Sequence, residues 1–184
     1  MQFLKSFFLF QESKAKVLVL GHSYVPSALR LSNAEVTILR KPGGTTLDLN
    51  QEPFCRAKYG EWDVAVIHLG GNDLGKLTPG KCFSLLCKFI KKLKVKRVIL
   101  VEPERRQATP RNSVLPSHLC RSTRLAKLMR DHCRFQEWEI LRIRKNEYFQ
   151  CIKSDGVHLN AEGNQLYINE MKRLISEALR KYQF

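Results

Sequence analysis

"WDVAVIHLGGND", residues 62–73, holds a short apolar run rich in Val and Ile that stops at two glycines. The run is too short for a helix of ordinary length. A near-continuous apolar strand of this kind belongs inside a parallel sheet covered on both faces. "KVLVLGHS" (16–23) and "KRVILVEP" (96–103) repeat the pattern, and "EVTILR" (35–40) and "EWEILRI" (137–143) complete five expected strands. Helix-period segments lie between and after them. "PGKCFSLLCKFIKKLK" (79–94) places Cys82, Leu86, Phe89, Ile90 and Leu93 on one face. "SHLCRSTRLAKLMRDHC" (117–133) is similar, as is "NAEGNQLYINEMKRLISEALRKY" (160–182), with Tyr167, Met171, Leu174 and Ala178 in register. Strands alternating with helices specify an α/β domain. With right-handed crossovers this becomes a three-layer α/β/α sandwich around a five-stranded, mostly parallel sheet of flavodoxin-like order.

The chain has 184 residues, the length of one domain. We place that domain at 15–184, behind an N-terminal arm at 1–14. The opening "MQFLKSFFLF" imitates a short signal peptide, but Lys5 interrupts its apolar run and no small-residue cleavage site follows. No apolar stretch is long enough to cross a membrane. The six cysteines have no zinc spacing and sit mostly in apolar or helical runs, as reduced core thiols do. An intracellular location, cytoplasmic or nuclear, is therefore expected. "ERRQATPRNSVLPS" (104–117) has no period and reads as a loop beside the sheet's carboxyl edge.

That edge is where open parallel sheets bind ligands. Four strand-end loops bring candidates to it: Ser23 in "GHS", the glycines of "KPGGTTLD", Asn72 in "GGND", and Asp155 with His158 in "DGVHLN". A serine is a weak nucleophile until a base takes its proton, and the base needs an orienting acceptor. A developing oxyanion needs fixed donors, which backbone N–H groups and a carboxamide supply. Each residue also has a plainer reading. Ser23 and Asn160 suit helix caps, Gly43 and Gly44 suit a turn, and Asp155-Gly156 is a common turn pair.

In order, "GHS", the glycine of "PGGTT", "GGND" and "DGVHLNAEGNQLY" resemble the four blocks of the SGNH (GDSL-type) hydrolase superfamily, spread over residues 21–167. The resemblance implies a serine esterase acting on a small acyl or acetyl ester. Ser23 would be the nucleophile, His158 the general base and Asp155 its orienting partner. Ser23 N–H, Gly44 N–H and the Asn72 side chain would form the oxyanion hole. Neither metal nor organic cofactor is implied. The chain departs from the common Gly-Asp-Ser block by carrying His22 where the aspartate would be. The alternative is an SGNH-fold binding module whose catalysis has faded.

The net charge of +15 points to an acidic partner, either nucleic acid bound without sequence preference or an anionic membrane. "KFIKKLKVKR" (88–97) concentrates that charge, and we expect the basic clusters on helices away from the strand-end loops. Small basic SGNH domains of this kind resemble those encoded in animal retrotransposons. His68 reads as a core histidine. His118 and His132 read as solvated.

Overall fold

The structure, a computed structural model, describes residues 14–104, 106–107, 116–143, 148 and 150–181. Five strands form one sheet: β1 (Ala15–Gly21), β2 (Ala34–Arg40), β3 (Glu61–His68), β4 (Lys94–Val101) and β5 (Glu139–Leu141). Their order is β2-β1-β3-β4-β5 and every pairing is parallel, as the flavodoxin-like expectation required. Three long helices follow the expected segments: α1 (Pro79–Ile90), α2 (Pro116–Gln136) and α3 (Ala161–Arg180). The expected arm lies outside the described residues except for Lys14, and so does most of the 104–117 loop.

Strand alternation divides the core in two. Leu18, Leu20, Ala65, Ile67, Val98 and Leu100 face α1 and α2, meeting Leu86, Phe89, Leu125 and Met129. The intervening Val17, Val19, Val64, Val66, Ile99 and Val101 face α3, meeting Tyr167, Met171 and Ile175. A period of two along each central strand thus fills both layers, which is why these strands read as unbroken apolar runs.

Strand ends are where the sequence misled. β1 stops at Gly21 and β3 at His68, so "HS" and "GGND" lie beyond the strands. Gly70 adopts φ +115°, a conformation that ends β3 and starts a tight 3₁₀ turn over Gly71–Asp73. β5 starts later than expected because Glu137, at φ 54°, turns the chain between α2 and the strand, and it ends at Leu141. No helix follows Ser23; residues 22–33 cross to β2 through turns and one bridge between Leu31 and Ala34. The helix-cap reading of Ser23 therefore has no helix to cap.

Two charge readings also change. Lys94 belongs with Lys96 to β4, not to the helix before it, and the two pair with Glu61 and Asp63 at 3.1 and 2.7 Å at the sheet's amino edge. His132 packs edge-on between Phe83 and Trp138, with ring centroids 5.2 and 5.0 Å away, and His118 is half-buried, so neither is simply solvated. All six cysteines are free thiols. Among the described residues, no helix is long and apolar enough to cross a membrane.

Leu100 is fully buried at the centre of the α1–α2 layer. Leu100→Ala should destabilise the fold by about 2–5 kcal/mol. The urea midpoint should fall at an unchanged slope in a denaturation monitored by circular dichroism.

Candidate active site

The "DGVHLN" stretch folds as a small closed loop between β5 and α3. Cys151 O accepts from Asn160 N at 2.7 Å, His158 O from Lys153 N at 2.7 Å, and Lys153 O from Gly156 N at 2.9 Å. Gly156 turns the tip at φ +70°. Asn160 caps α3, its side chain accepting from Gly163 N at 2.9 Å. Gly163 lies against Cys151, where a Cβ would come within 2.7 Å of the cysteine's own. The "DGVHLNAEG" pattern is thus a carboxylate, a positive-φ turn, an imidazole, a cap and a close contact, in that order. Tyr24 OH donates to Val157 O and ties the loop back to the chain after β1.

Asp155 is the loop's electrostatic centre. It accepts from Val157 N at 2.8 Å, His158 N at 2.9 Å and His158 Nδ1 at 2.7 Å. The two backbone donors, with the His158 ring, hold its carboxyl down at about 2. His158 Nε2 then lies 3.1 Å from Ser23 Oγ. The structure therefore brings Asp155, His158 and Ser23 into one hydrogen-bonded chain across 135 residues of sequence. Ser23 and His158 share an open cleft with Tyr24, Arg40, Lys153, Leu159 and Asn164. Arg40 fixes the backbone at Ser23, donating to its carbonyl at 3.1 Å.

The second half of the edge is held by a different carboxylate. Asp73 is buried and accepts from Thr46 N at 3.0 Å and Thr46 Oγ1 at 2.7 Å. This locks the "GGND" turn to the "GGTT" turn. Burial raises the Asp73 carboxyl, with the Thr46 hydrogen bonds acting against that rise. Asn72 spans the same gap: its Nδ2 donates to Gly44 O at 3.1 Å, and its Oδ1 accepts from Arg106 at 2.8 Å.

Gly44 is placed differently from expectation. Its N–H donates to Lys41 O at 2.8 Å, and a Cβ there would lie 3.1 Å from Phe54, so its donor is spent inside a turn. Pro42 and Gly43 are the central residues of that turn, and Gly43 has φ +70°, the arrangement of a type II turn. Gly43 is exposed, nothing lies within 4 Å of where its Cβ would be, and its N–H has no partner among the described residues. Gly43, not Gly44, is the glycine with a donor to offer.

His22 points away from Ser23 Oγ and into the protein, where it is buried with His68 and Glu104. Burial pushes the His22 imidazole down to about 4, with Glu104 opposing the fall, so the ring is neutral at ordinary pH. Glu104 escaped the sequence reading because it follows β4 in a stretch without period. The one available trace was Gly71, where a Cβ would fall 2.6 Å from Glu104 Oε1. His22, His68 and Glu104 offer three ligand atoms within 4.8 Å of one another, the set among the described residues suited to a metal ion.

Neither a family model nor a curated relative matches the sequence. Solved structures do match. A carbohydrate acetylesterase from Sinorhizobium meliloti, Est24, is similar at 18% identity and TM-score 0.64, over 92% of this chain and 100% of that one. A lipase/acylhydrolase from Enterococcus faecalis is similar at 21% identity and TM-score 0.67, over 89% and 96%. A member of the lipolytic G-D-S-L family from Veillonella parvula is similar at 13% identity and TM-score 0.70, over 88% and 98%. The fold is that of the SGNH hydrolases. Within that SGNH fold, the described loops of this chain hold Ser23, Asn72, Asp155 and His158 beyond the carboxyl ends of the strands.

The Asp155 carboxyl lies below its ordinary 3.8 in the folded chain, so its interactions favour folding above that pH. That contribution should vanish as pH falls from about 3.8 through about 2. Asp155→Asn should therefore lower stability at neutral pH and flatten the acid limb of a urea-midpoint profile.

Proposed function

We propose that the protein is a serine esterase acting on a small acyl or acetyl ester. The carrying observation is the continuous chain Ser23 Oγ, His158 Nε2, His158 Nδ1, Asp155 Oδ2, with links of 3.1 and 2.7 Å. His158 takes the Ser23 proton as Oγ attacks the ester carbonyl, then returns it to the leaving alcohol. Asp155 holds Nδ1 protonated and stabilises the imidazolium that forms. Its three hydrogen bonds keep it ionised for that task. Water repeats the sequence to release the acid.

For the oxyanion, the reading uses Ser23 N–H, which has no acceptor among the described residues, and the second Nδ2 hydrogen of Asn72. Gly43 N–H takes the place assigned from sequence to Gly44. Arg106 holds Asn72 Oδ1, which keeps Nδ2 facing the "GGTT" turn. The similar structures support ester hydrolysis, since they are named as acetylesterases, arylesterases and acylhydrolases. A binding module with faded catalysis is the alternative, and an intact, correctly spaced set of three groups weighs against it.

The uncompensated charge supports a second part of the proposal. Lys91, Lys92, Arg124 and Arg134 form no ion pair among the described residues. We propose that they attract a phosphate-rich polyanion such as single-stranded nucleic acid, the setting in which a retrotransposon-borne esterase would work. An anionic membrane is the competing surface.

Purified protein should hydrolyse p-nitrophenyl acetate, and Ser23→Ala should reduce kcat/KM by several orders of magnitude without altering the circular dichroism spectrum. Equal rates in the two proteins would overturn the esterase reading. Replacing Lys91 and Lys92 together with glutamate should weaken salt-dependent binding to single-stranded nucleic acid while leaving ester hydrolysis within twofold, because both lysines lie past the end of α1. Fluorescence anisotropy and vesicle sedimentation, run in parallel, separate the two polyanions.

A further inference from the structure

Three adjacent parallel strands deliver one side chain each to a single buried point below Ser23. His22 follows β1, His68 is the last residue of β3, and Glu104 lies three residues past β4; they are 1%, 0% and 4% exposed. His22 Nε2 lies 3.6 Å from Glu104 Oε2, and His68 Nε2 lies 3.5 Å from the same oxygen. Those three atoms are among the buried side-chain polar atoms that have no hydrogen-bond partner among the described residues. Buried polar atoms are ordinarily paired, so three orphans facing one another need a reason.

The separations supply one. They exceed an N–H···O hydrogen bond, which spans about 2.7–3.2 Å. They match the edge of a tetrahedron whose centre is a zinc ion bonded at about 2.0–2.2 Å, for which the ligand-to-ligand distance is about 3.3–3.6 Å. We propose that His22 Nε2, His68 Nε2 and Glu104 Oε2 form a binding site for a divalent first-row metal of the zinc class. Two imidazoles and one carboxylate make a borderline donor set. It offers too few oxygens for calcium or magnesium and no thiolate for a softer ion.

The surroundings fit ligation. His68 Nδ1 pairs with the fully buried Tyr167 OH at 2.8 Å, the outer hydrogen bond by which a ligating imidazole is oriented. Tyr24 N–H donates a long hydrogen bond, 3.5 Å, to His22 Nδ1, and ligation through Nε2 requires that bond to be given up so that Nδ1 carries the proton. Gly71 admits the Glu104 carboxylate where any side chain would collide with it. A cavity of about 230 Å³, lined by Glu104, Tyr24, Pro103 and Ser122 among others, reaches the cluster from its carboxylate side. The inference does not depend on esterase activity, because none of the three residues takes a proton or bond in that reaction.

The test uses full-length protein stripped with a chelator. Zinc should raise the thermal midpoint and remain bound at one equivalent after gel filtration. Cobalt should give visible ligand-field bands without the near-ultraviolet thiolate charge-transfer band, which separates this site from the six cysteines. Glu104→Gln keeps the side-chain shape and should weaken zinc binding by at least tenfold, about 1.4 kcal/mol. His68→Phe is the second variant, to be read by the same titration. The proposal is overturned if chelator-stripped wild-type protein takes up no zinc, if its cobalt spectrum carries the thiolate band, or if folded Glu104→Gln binds zinc as tightly as wild type.

Discussion

Parallel strands that start together must also stop together, and this constraint organises everything in the molecule that has chemistry. A sheet buried on both faces has no room for polar side chains along its strands, so they collect where the strands end. β1, β3 and β4 are apolar to their last turn, and then release His22, His68 and Glu104 within a few residues of one another. The loops that continue past those points carry Ser23, Asn72 and Arg106. The candidate site is a consequence of sheet geometry before it is a consequence of any motif.

Two carboxylates, each used as an acceptor of several hydrogen bonds, hold the two halves of that edge. Asp155 draws together its own loop and the His158 ring, in partial exposure to water. Asp73 draws together the turns after β2 and β3, in full burial. Their environments move them in opposite directions: hydrogen bonds to the charged form lower Asp155, while burial raises Asp73. The first arrangement keeps a charge available beside an imidazole. The second spends its carboxylate on architecture. "GGND" and "DGVHLN" therefore each contain one aspartate, but only one of the two faces the Ser23–His158 pair.

Much of this was legible in the sequence, for identifiable reasons. Apolar runs of four residues, at 17–20, 64–67 and 98–101, marked the central strands, and the 3.6-residue period marked α1 and α3, because both signals come from burial along a regular element. The 155–167 stretch was legible because each residue has a local duty that its side chain advertises: acceptor, turn, ring, cap, close contact. Glu104 had no such local duty. Its partners are 82 and 36 residues earlier in the chain, at His22 and His68, and nothing near it in sequence marks it as buried. Lys94 was misplaced because an alternating strand and the end of an amphipathic helix look alike over so few residues. Gly44 N–H is engaged by Lys41 O, a single backbone hydrogen bond that composition does not encode.

His22 is where local and distant requirements meet. Under the proposed mechanism, a residue next to Ser23 that turned outward would compete with His158 for the Ser23 proton. Turned inward, it is separated from that role by the direction of its side chain and by burial, which keeps it neutral. The inward direction is held by what it meets: the His22 N–H bonds to His68 O, and the ring packs 4.5 Å from that of His68 and 5.6 Å from that of Tyr24. Tyr24 in turn stacks toward His158 at 6.2 Å and bonds to the loop carrying it. The contacts of Glu104 and His68 run through His22 and Tyr24 toward the Ser23–His158 contact, although neither residue touches it. The histidine beside Ser23 is part of the floor on which the site stands.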